Sequence, residues 1–215
     1  MSQAGHYTPP PQQHVIYGKP VAEALAEELK RRDAKRVVFV TNTSLLGAGG
    51  LGEHVRRALG AAFVAEVSGI RAHSPRADVI RLTRTLRDQQ ADLVVALGGG
   101  SVCDATKAAC LALANKAFEV ADINRIRTPQ PVLPPQLPFI SIPTTLSAGE
   151  YTGIAGVTDE SVPRKEALIH PGIAPDVVIL DAAMTVATPA RLFFGTGIRA
   201  VDHAVETWCS VNATP

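Results

Sequence analysis

Two glycine clusters, a threonine pair and a histidine-bearing helix hold the residues of this 215-residue chain whose types and spacing could do chemistry. The cluster LGGGSVCDATK, residues 97–107, follows the apolar run DLVVAL directly and leads straight into a helical period. Its three glycines, Gly98, Gly99 and Gly100, let backbone N–H groups face an anion with no β-carbon in the way. Ser101 is placed to cap the helix that follows, and the helix N-terminus adds a positive partial charge. Together these features make a pyrophosphate cradle. The plainer alternative is a tight strand-to-helix turn in which Ser101 and Asp104 do no more than cap the helix. Neither standard nucleotide motif fits, because Cys103 stands where a third fingerprint glycine would fall and no G-x-x-x-x-G-K-[ST] is present. The other cluster, GAGGLG at residues 47–52, does satisfy G-x-G-x-x-G, with Glu66 about 20 residues on from its start. Residues 43–46 nevertheless separate it from the preceding strand, where the fingerprint wants its first glycine, so it reads as a surface loop before a helix.

These segments need a frame to hold them. Apolar residues at helical spacing predict helices over residues 21–32, 53–59, 76–89 and 102–114. Ser74 and Pro75 suit the N-cap and first turn of the third. β-Branched and apolar runs predict strands at 36–40, 63–67, 92–97, 139–142, 154–157 and 177–180. Residues 128–138 hold five prolines and can be neither helix nor inner strand. Strands that are continuously apolar are covered on both faces, which predicts an open, mostly parallel sheet with helices on each side. That α/β unit spans residues 14–187 after a polar, flexible tail at 1–13. From residue 188 to 215 the period is helical with no strand signal, as at the start of an all-helical domain. In such open sheets ligands bind at the carboxyl ends of the strands, where LGGGS lies.

Composition narrows the partner. Twenty-one Lys and Arg against 20 Asp and Glu leave a formal charge of +1, so neither a nucleic-acid nor an anionic-membrane footprint is visible. A small molecule is the predicted partner, and a homodimer the assembly considered. Cys103, Cys110 and Cys209 are an odd number without metal-type spacing, which predicts a reducing compartment, the cytoplasm. No run reaches the ~18 consecutive apolar residues of a membrane span, and the first residues lack a secretory pattern.

The cluster GGGSVCDATK, then PTTLSAGEYT, then GIRAVDHAVE resembles, in that order, the iron-containing alcohol dehydrogenase family, which includes the maleylacetate reductases. The resemblance implies a dehydroquinate synthase-like fold and a nicotinamide cofactor, NAD or NADP, with its pyrophosphate on Gly98, Gly99, Gly100 and Ser101. It implies that Asp104 orients that loop, that Thr144 and Thr145 contact the cofactor and that Lys165 lies near it. By default Thr144 and Thr145 would be an ordinary turn and Lys165 a solvated hairpin lysine. Asn42 stands where many NAD-preferring members carry a ribose-binding aspartate. A neutral amide neither repels a 2′-phosphate nor binds a diol strongly, so NADH and NADPH both stay open. The length of PTTLSAGEYT and the segment RAHSP are similar to those of the maleylacetate reductases.

Metal-dependent members of the family place an aspartate and a histidine at i and i+4 on one helix. Here His203 holds the histidine position, but Arg199 holds the aspartate's, and a guanidinium cannot ligate a cation. Asp202, next to His203, points about 100° away on a helix. No metal is therefore expected, with His203 the only candidate ligand. On the reductase reading, Arg199 and His203 are the catalytic candidates: Arg199 holds a substrate carboxylate and His203 acts as a polar or proton-transferring group. The predicted activity is an NAD(P)-dependent oxidoreduction of a small carbonyl, enone or alcohol. The rivals are a metal-dependent alcohol dehydrogenase and a nucleotide-binding fragment without catalysis.

Overall fold

The computed structural model describes residues 12, 14–47, 49–127, 131–162 and 164–210. In chain order the elements are β1 (His14–Tyr17), α1 (Val21–Arg32), β2 (Val37–Thr41), α2 (Leu51–Leu59), β3 (Phe63–Val67), α3 (Arg76–Asp88), β4 (Leu93–Gly98), α4 (Gly100–Ala114), β5 (Phe139–Pro143), β6 (Ile154–Asp159), β7 (Arg164–Ile169), β8 (Val177–Leu180) and α5 (Ala190–Cys209). Six strands form one sheet in the order β1-β8-β5-β4-β2-β3, and every pairing in it is parallel.

The period of two along each strand sorts its side chains between two cores. Val38, Val40, Val94 and Ala96 pack with Val79, Leu82 and Ala108 of α3 and α4 on one face. Val37, Phe39, Leu93, Val95 and Leu97 pack with Leu25 and Val55 of α1 and α2 on the other. Apolar residues at every strand position are thus explained by helices on both sides, as the unbroken runs VVFV and LVVAL required.

α4 is buried along most of its length, with ten of its fifteen residues inside. Its alanines and cysteines are small enough to be covered twice, by the sheet and by the hairpin β6–β7, whose Ala155, Val157 and Leu168 join the same core. The buried Arg76 at the start of α3 pins that hairpin, pairing with Asp159 at 3.1 Å and with Glu166.

Several details differ from the sequence reading. The run at 154–157 is not a member of the parallel sheet. It pairs antiparallel with β7, which the polar sequence RKEALI did not announce, and only alternate residues of β6 are buried. Ser74 does not cap α3: Pro75 holds that position with no side-chain cap, while Ser74 has φ 51° and donates to Ser101 O at 2.8 Å. α4 begins at Gly100, two residues earlier than its apolar period. β1 lies at the sheet edge, where four residues beside a polar stretch left little pattern. Residues 131–138 carry no helix or strand, whereas 128–130, most of the predicted tail and the last five residues lie outside the described ones. No described helix is long and apolar enough to cross a membrane.

Candidate functional site

From β2 the chain steps outward to β3, then returns past β2 to β4 and continues to β5. The direction of winding therefore reverses between β2 and β4, and a crevice opens beyond their carboxyl ends. Thr41 Oγ1 donates to Leu97 O at 2.9 Å across that point, locking the two strand ends in register. Asn42 forms one lip. Among the described residues its buried Oδ1 accepts no hydrogen bond, an acceptor still in need of a donor.

Residues 98–101 form the other lip. Their glycines are required by space, not by unusual backbone angles. A β-carbon on Gly98 would fall 2.6 Å from Val102 Cγ2, and one on Gly99 would fall 2.9 Å from Thr145 Cγ2. One on Gly100 would approach Ser147 Oγ to 3.2 Å. The turn is thus wedged between its own helix and the segment following β5, which sets Thr144 and Thr145 against it. Thr144 N donates to Gly98 O at 3.0 Å, and Thr188 Oγ1 donates to Thr144 O at 2.7 Å. The first amides of α4 have no acceptor within the helix and open on this crevice.

Ser101 does not cap α4, because the N-cap is Gly99 and no side chain caps there. Its hydroxyl instead accepts from His73 N at 3.0 Å. His73 and Ser74 both adopt left-handed backbone, φ 63° and 51°, which costs non-glycine residues free energy and persists only where neighbours enforce it. Here the enforcement is Ser101 on one side and Thr158 on the other: Thr158 N donates to Ser74 O at 3.1 Å and Thr158 Oγ1 to His73 O at 2.8 Å. With its oxygen engaged by His73, Ser101 keeps its hydroxyl proton to donate elsewhere.

Behind the cradle lies a polar layer that sequence reading only half anticipated. Asp104 Oδ2 accepts from Gly156 N at 3.1 Å, joining α4 to the hairpin. Burial pushes its carboxyl up, against the pull of Lys107, the Gly156 hydrogen bond and Lys165. Lys107 was not singled out. It is fully buried, and its ammonium donates to the carbonyls of Gly149, Thr152 at 2.7 Å and Ile154 at 2.9 Å. The signal for it was a single cation inside the otherwise apolar helix VCDATKAACLALA, a place that only a fully satisfied lysine can occupy. Cys103 and Cys110 are buried in the same helix with thiols pushed up to about 12 by burial, which leaves them inert as nucleophiles.

The GAGGLG cluster is spent on itself. Gly49 N donates to Glu53 Oε2 at 2.7 Å and Gly50 N to Gly47 O at 2.8 Å. Glu53 already occupies the place an incoming anion would take.

Arg199 and His203 sit one turn apart on α5, both exposed, and Arg199 pairs with Asp202 at 3.1 Å. The helix leaves the carboxyl edge of the sheet, where Thr196 Oγ1 accepts from Leu146 N at 3.1 Å. Among the described residues no hydrogen bond or ion pair joins Arg199 or His203 to the cradle. The structure thus packs residues 98–101 against Thr145 and Ser147, sets Asp104 and Lys165 on either side of Gly156, places Asn42 at the end of β2, and leaves Arg199 and His203 on the adjoining helix.

Comparison with known proteins follows the same outline. A family model described as iron-containing alcohol dehydrogenase matches residues 11–182. Dehydrogenase FUM7 of Gibberella moniliformis is 40% identical over 205 residues, 90% of this chain and 48% of its own length. Long-chain-alcohol dehydrogenase 1 of Geobacillus thermodenitrificans is 33% identical over 208 residues, 96% of this chain and 51% of its own. The chain spans about half the length of the curated relatives it matches. Among solved structures, the maleylacetate reductase of Rhizobium sp. superposes with a TM-score of 0.76 at 28% identity, covering 100% of this chain and 53% of the other. Sulfoacetaldehyde reductase of Bifidobacterium kashiwanohense, solved with NAD+, gives a TM-score of 0.89 at 23% identity over 100% of this chain and 56% of its own, a likeness of fold.

Proposed function

Because the chain belongs to the iron-containing alcohol dehydrogenase family, we propose that it carries the cofactor-binding half of an NAD(P)-dependent oxidoreductase. Its substrate would be a small carbonyl or enone compound, as for a maleylacetate reductase. The observation that carries this reading is the β4–α4 turn at the reversal of winding: Gly98 and Gly99 have no room for a side chain, Gly100 has little, and the first amides of α4 are left without helical acceptors. Those residues fit a dinucleotide. The amides at 99–101 and the Ser101 hydroxyl would hold the pyrophosphate, and Asn42 would receive a ribose hydroxyl. Thr144, Thr145 and Lys165 would meet the cofactor from the β5 and hairpin sides. A bound nicotinamide supplies the hydride. The protein's task is to fix its position, exclude water and neutralise charge. A neutral amide at Asn42 admits either NADH or NADPH.

In this reading residues 14–187 are the cofactor domain and 188–215 begin a helical wall. Arg199 would hold a substrate carboxylate as a charged fork, and His203 would hold or deliver a proton across the cleft. Arg199 has no lone pair to give a metal beside His203, which is the reason this reading assigns α5 no metal. Cytoplasmic location and a homodimer are part of the same proposal.

Fluorescence titration with NADH and NADPH tests the site. Gly99→Asp should abolish binding, because the new carboxylate meets Thr145 and repels the pyrophosphate, while Gly49→Asp should leave it within about twofold. The reverse pattern would move the site to GAGGLG. In the full-length protein, maleylacetate-dependent loss of NAD(P)H absorbance that survives a chelator supports the reductase reading. Chelator-sensitive alcohol oxidation would replace it with the metal-dependent one.

A further inference from the structure

Gly156 stands in the middle of β6 with ordinary extended backbone, a position where a side chain normally strengthens a strand. Its missing side chain is explained by one neighbour. A β-carbon there would fall 2.1 Å from Lys165 Cε and 2.8 Å from Lys165 Nζ, the two nearest atoms. Lys165 stems from β7, where it is paired with Thr158, and its side chain runs back across the hairpin over the bare Gly156 backbone. At the far end of that path lies Asp104, whose Oδ2 is 3.3 Å from the same point and accepts from Gly156 N. Asp104 Oδ1 in turn lies 3.9 Å from where a Gly149 β-carbon would sit, beside Ser147, the residue packed against Gly100 of the cradle. A line of near neighbours, measured from these bare glycine positions, thus runs from the lysine through Asp104 toward the phosphate turn.

We propose that Gly156 and Asp104 are positioning residues for Lys165: the glycine opens a channel across the hairpin, and the carboxylate draws the ammonium through it to the cradle's inner edge. There the ammonium is a hydrogen-bond donor for the part of a dinucleotide beyond its pyrophosphate. This rests on the dinucleotide reading of the site. The default expectation for an exposed hairpin lysine is a solvated chain that sweeps freely. Asp104 differs from a surface carboxylate in being partly buried behind the turn, so its attraction for a cation is less screened by water.

The test is a double-mutant cycle on Gly156→Ala and Lys165→Ala, read by three measurements. The first is NADH affinity. Gly156→Ala should weaken it about tenfold when Lys165 is present and less than twofold in the Lys165→Ala background, because the methyl group acts only by displacing the lysine. ADP, which carries the adenosine and the pyrophosphate and nothing beyond them, should bind all four proteins alike. The second is thermal stability, which Gly156→Ala should spare, since the group that must move is the free end of a flexible side chain. The third needs no cofactor: the Asp104 carboxyl, followed by carbon-13 NMR, should titrate at higher pH in both single variants, as the ammonium that favours its charged form has left.

Equal losses of NADH affinity in both backgrounds, or an equal loss for ADP, would mean that the methyl group distorts the backbone, and the proposal would fall. An Asp104 titration unmoved by either variant would also overturn it. If Gly99→Asp abolishes NADH binding while the cycle is additive, the positioning idea fails alone. If the unmodified protein binds neither NADH nor ADP, the site reading fails and this proposal with it.

Discussion

At the scale of single residues, the buried ionisable groups separate into those that serve the site and those that serve the fold. Glu28 belongs to the fold. Burial alone would raise its carboxyl, but hydrogen bonds from Arg31, His14 and Arg32 overcome that and hold it at about 2, below its ordinary 4.5. A carboxyl held down in the folded state contributes stability that is present above its unfolded pKa and lost as pH falls through the folded one. The melting temperature should therefore drop between about pH 4.5 and about 2 partly on its account. Glu28→Gln should melt lower at neutral pH and show a flatter slope across that window. Parallel slopes in a pair of thermal titrations would exclude Glu28 as a main contributor. Asp104, in contrast, is raised by burial and keeps cations for neighbours, the signature of a carboxylate used to place other groups.

At the scale of elements, the hairpin β6–β7 decides the shape of the site although it contributes nothing to the main sheet. It buries one face on α4, is anchored by Arg76, and is tied to the cradle by Asp104 and to the loop at 149–154 by Lys107. The Lys107 ammonium satisfies three carbonyls at once, and removing it strands them in the interior. We expect Lys107→Met to cost about 1–3 kcal/mol, measured by the denaturant midpoint. Amides of β6 should exchange with solvent faster in that variant, and an unchanged midpoint would show that water replaces the lysine at no cost. α5 is the opposite case. None of its residues is buried, and Phe194, Ile198, Val201, Val205 and Trp208 are all more than half exposed. Its apolar period made it legible as a helix, but the period names a face without naming what covers it.

At the scale of the whole molecule, two cores flank one sheet, and the cradle sits at its carboxyl edge on elements drawn from both. A ligand seated there touches β2, β4, α4 and the segment after β5 together, so its binding should stabilise the α/β unit as one. At a hundred times the dissociation constant, NADH should add about 2.7 kcal/mol. For a chain of this size that raises the melting temperature by about 5–10 °C. Gly99→Asp should abolish the increase, and an increase that survives it would place the nucleotide elsewhere. The charge of +1 sets no long-range field, so any preference for an anion must come from local groups such as the α4 amides, Lys165 and Arg199.

The sequence by itself determined the parallel α/β frame, the strand-to-helix turn at residues 97–101 and the helix that carries Arg199 and His203. Each of those is a local pattern, a run or a period, that survives in one dimension. It also offered two glycine clusters, and position relative to the strand end was enough to prefer one of them. Only the tertiary structure decided why Gly99 and Gly100 are glycines, since the atoms they would meet, on Thr145 and Ser147, lie far along the chain. The same holds for Ser101, which looked like a cap and instead holds His73, and for Lys107, which was not singled out and is caged by carbonyls. Hydrogen-bond partners and exclusion distances belong to contacts between distant segments, and no spacing along the chain encodes them.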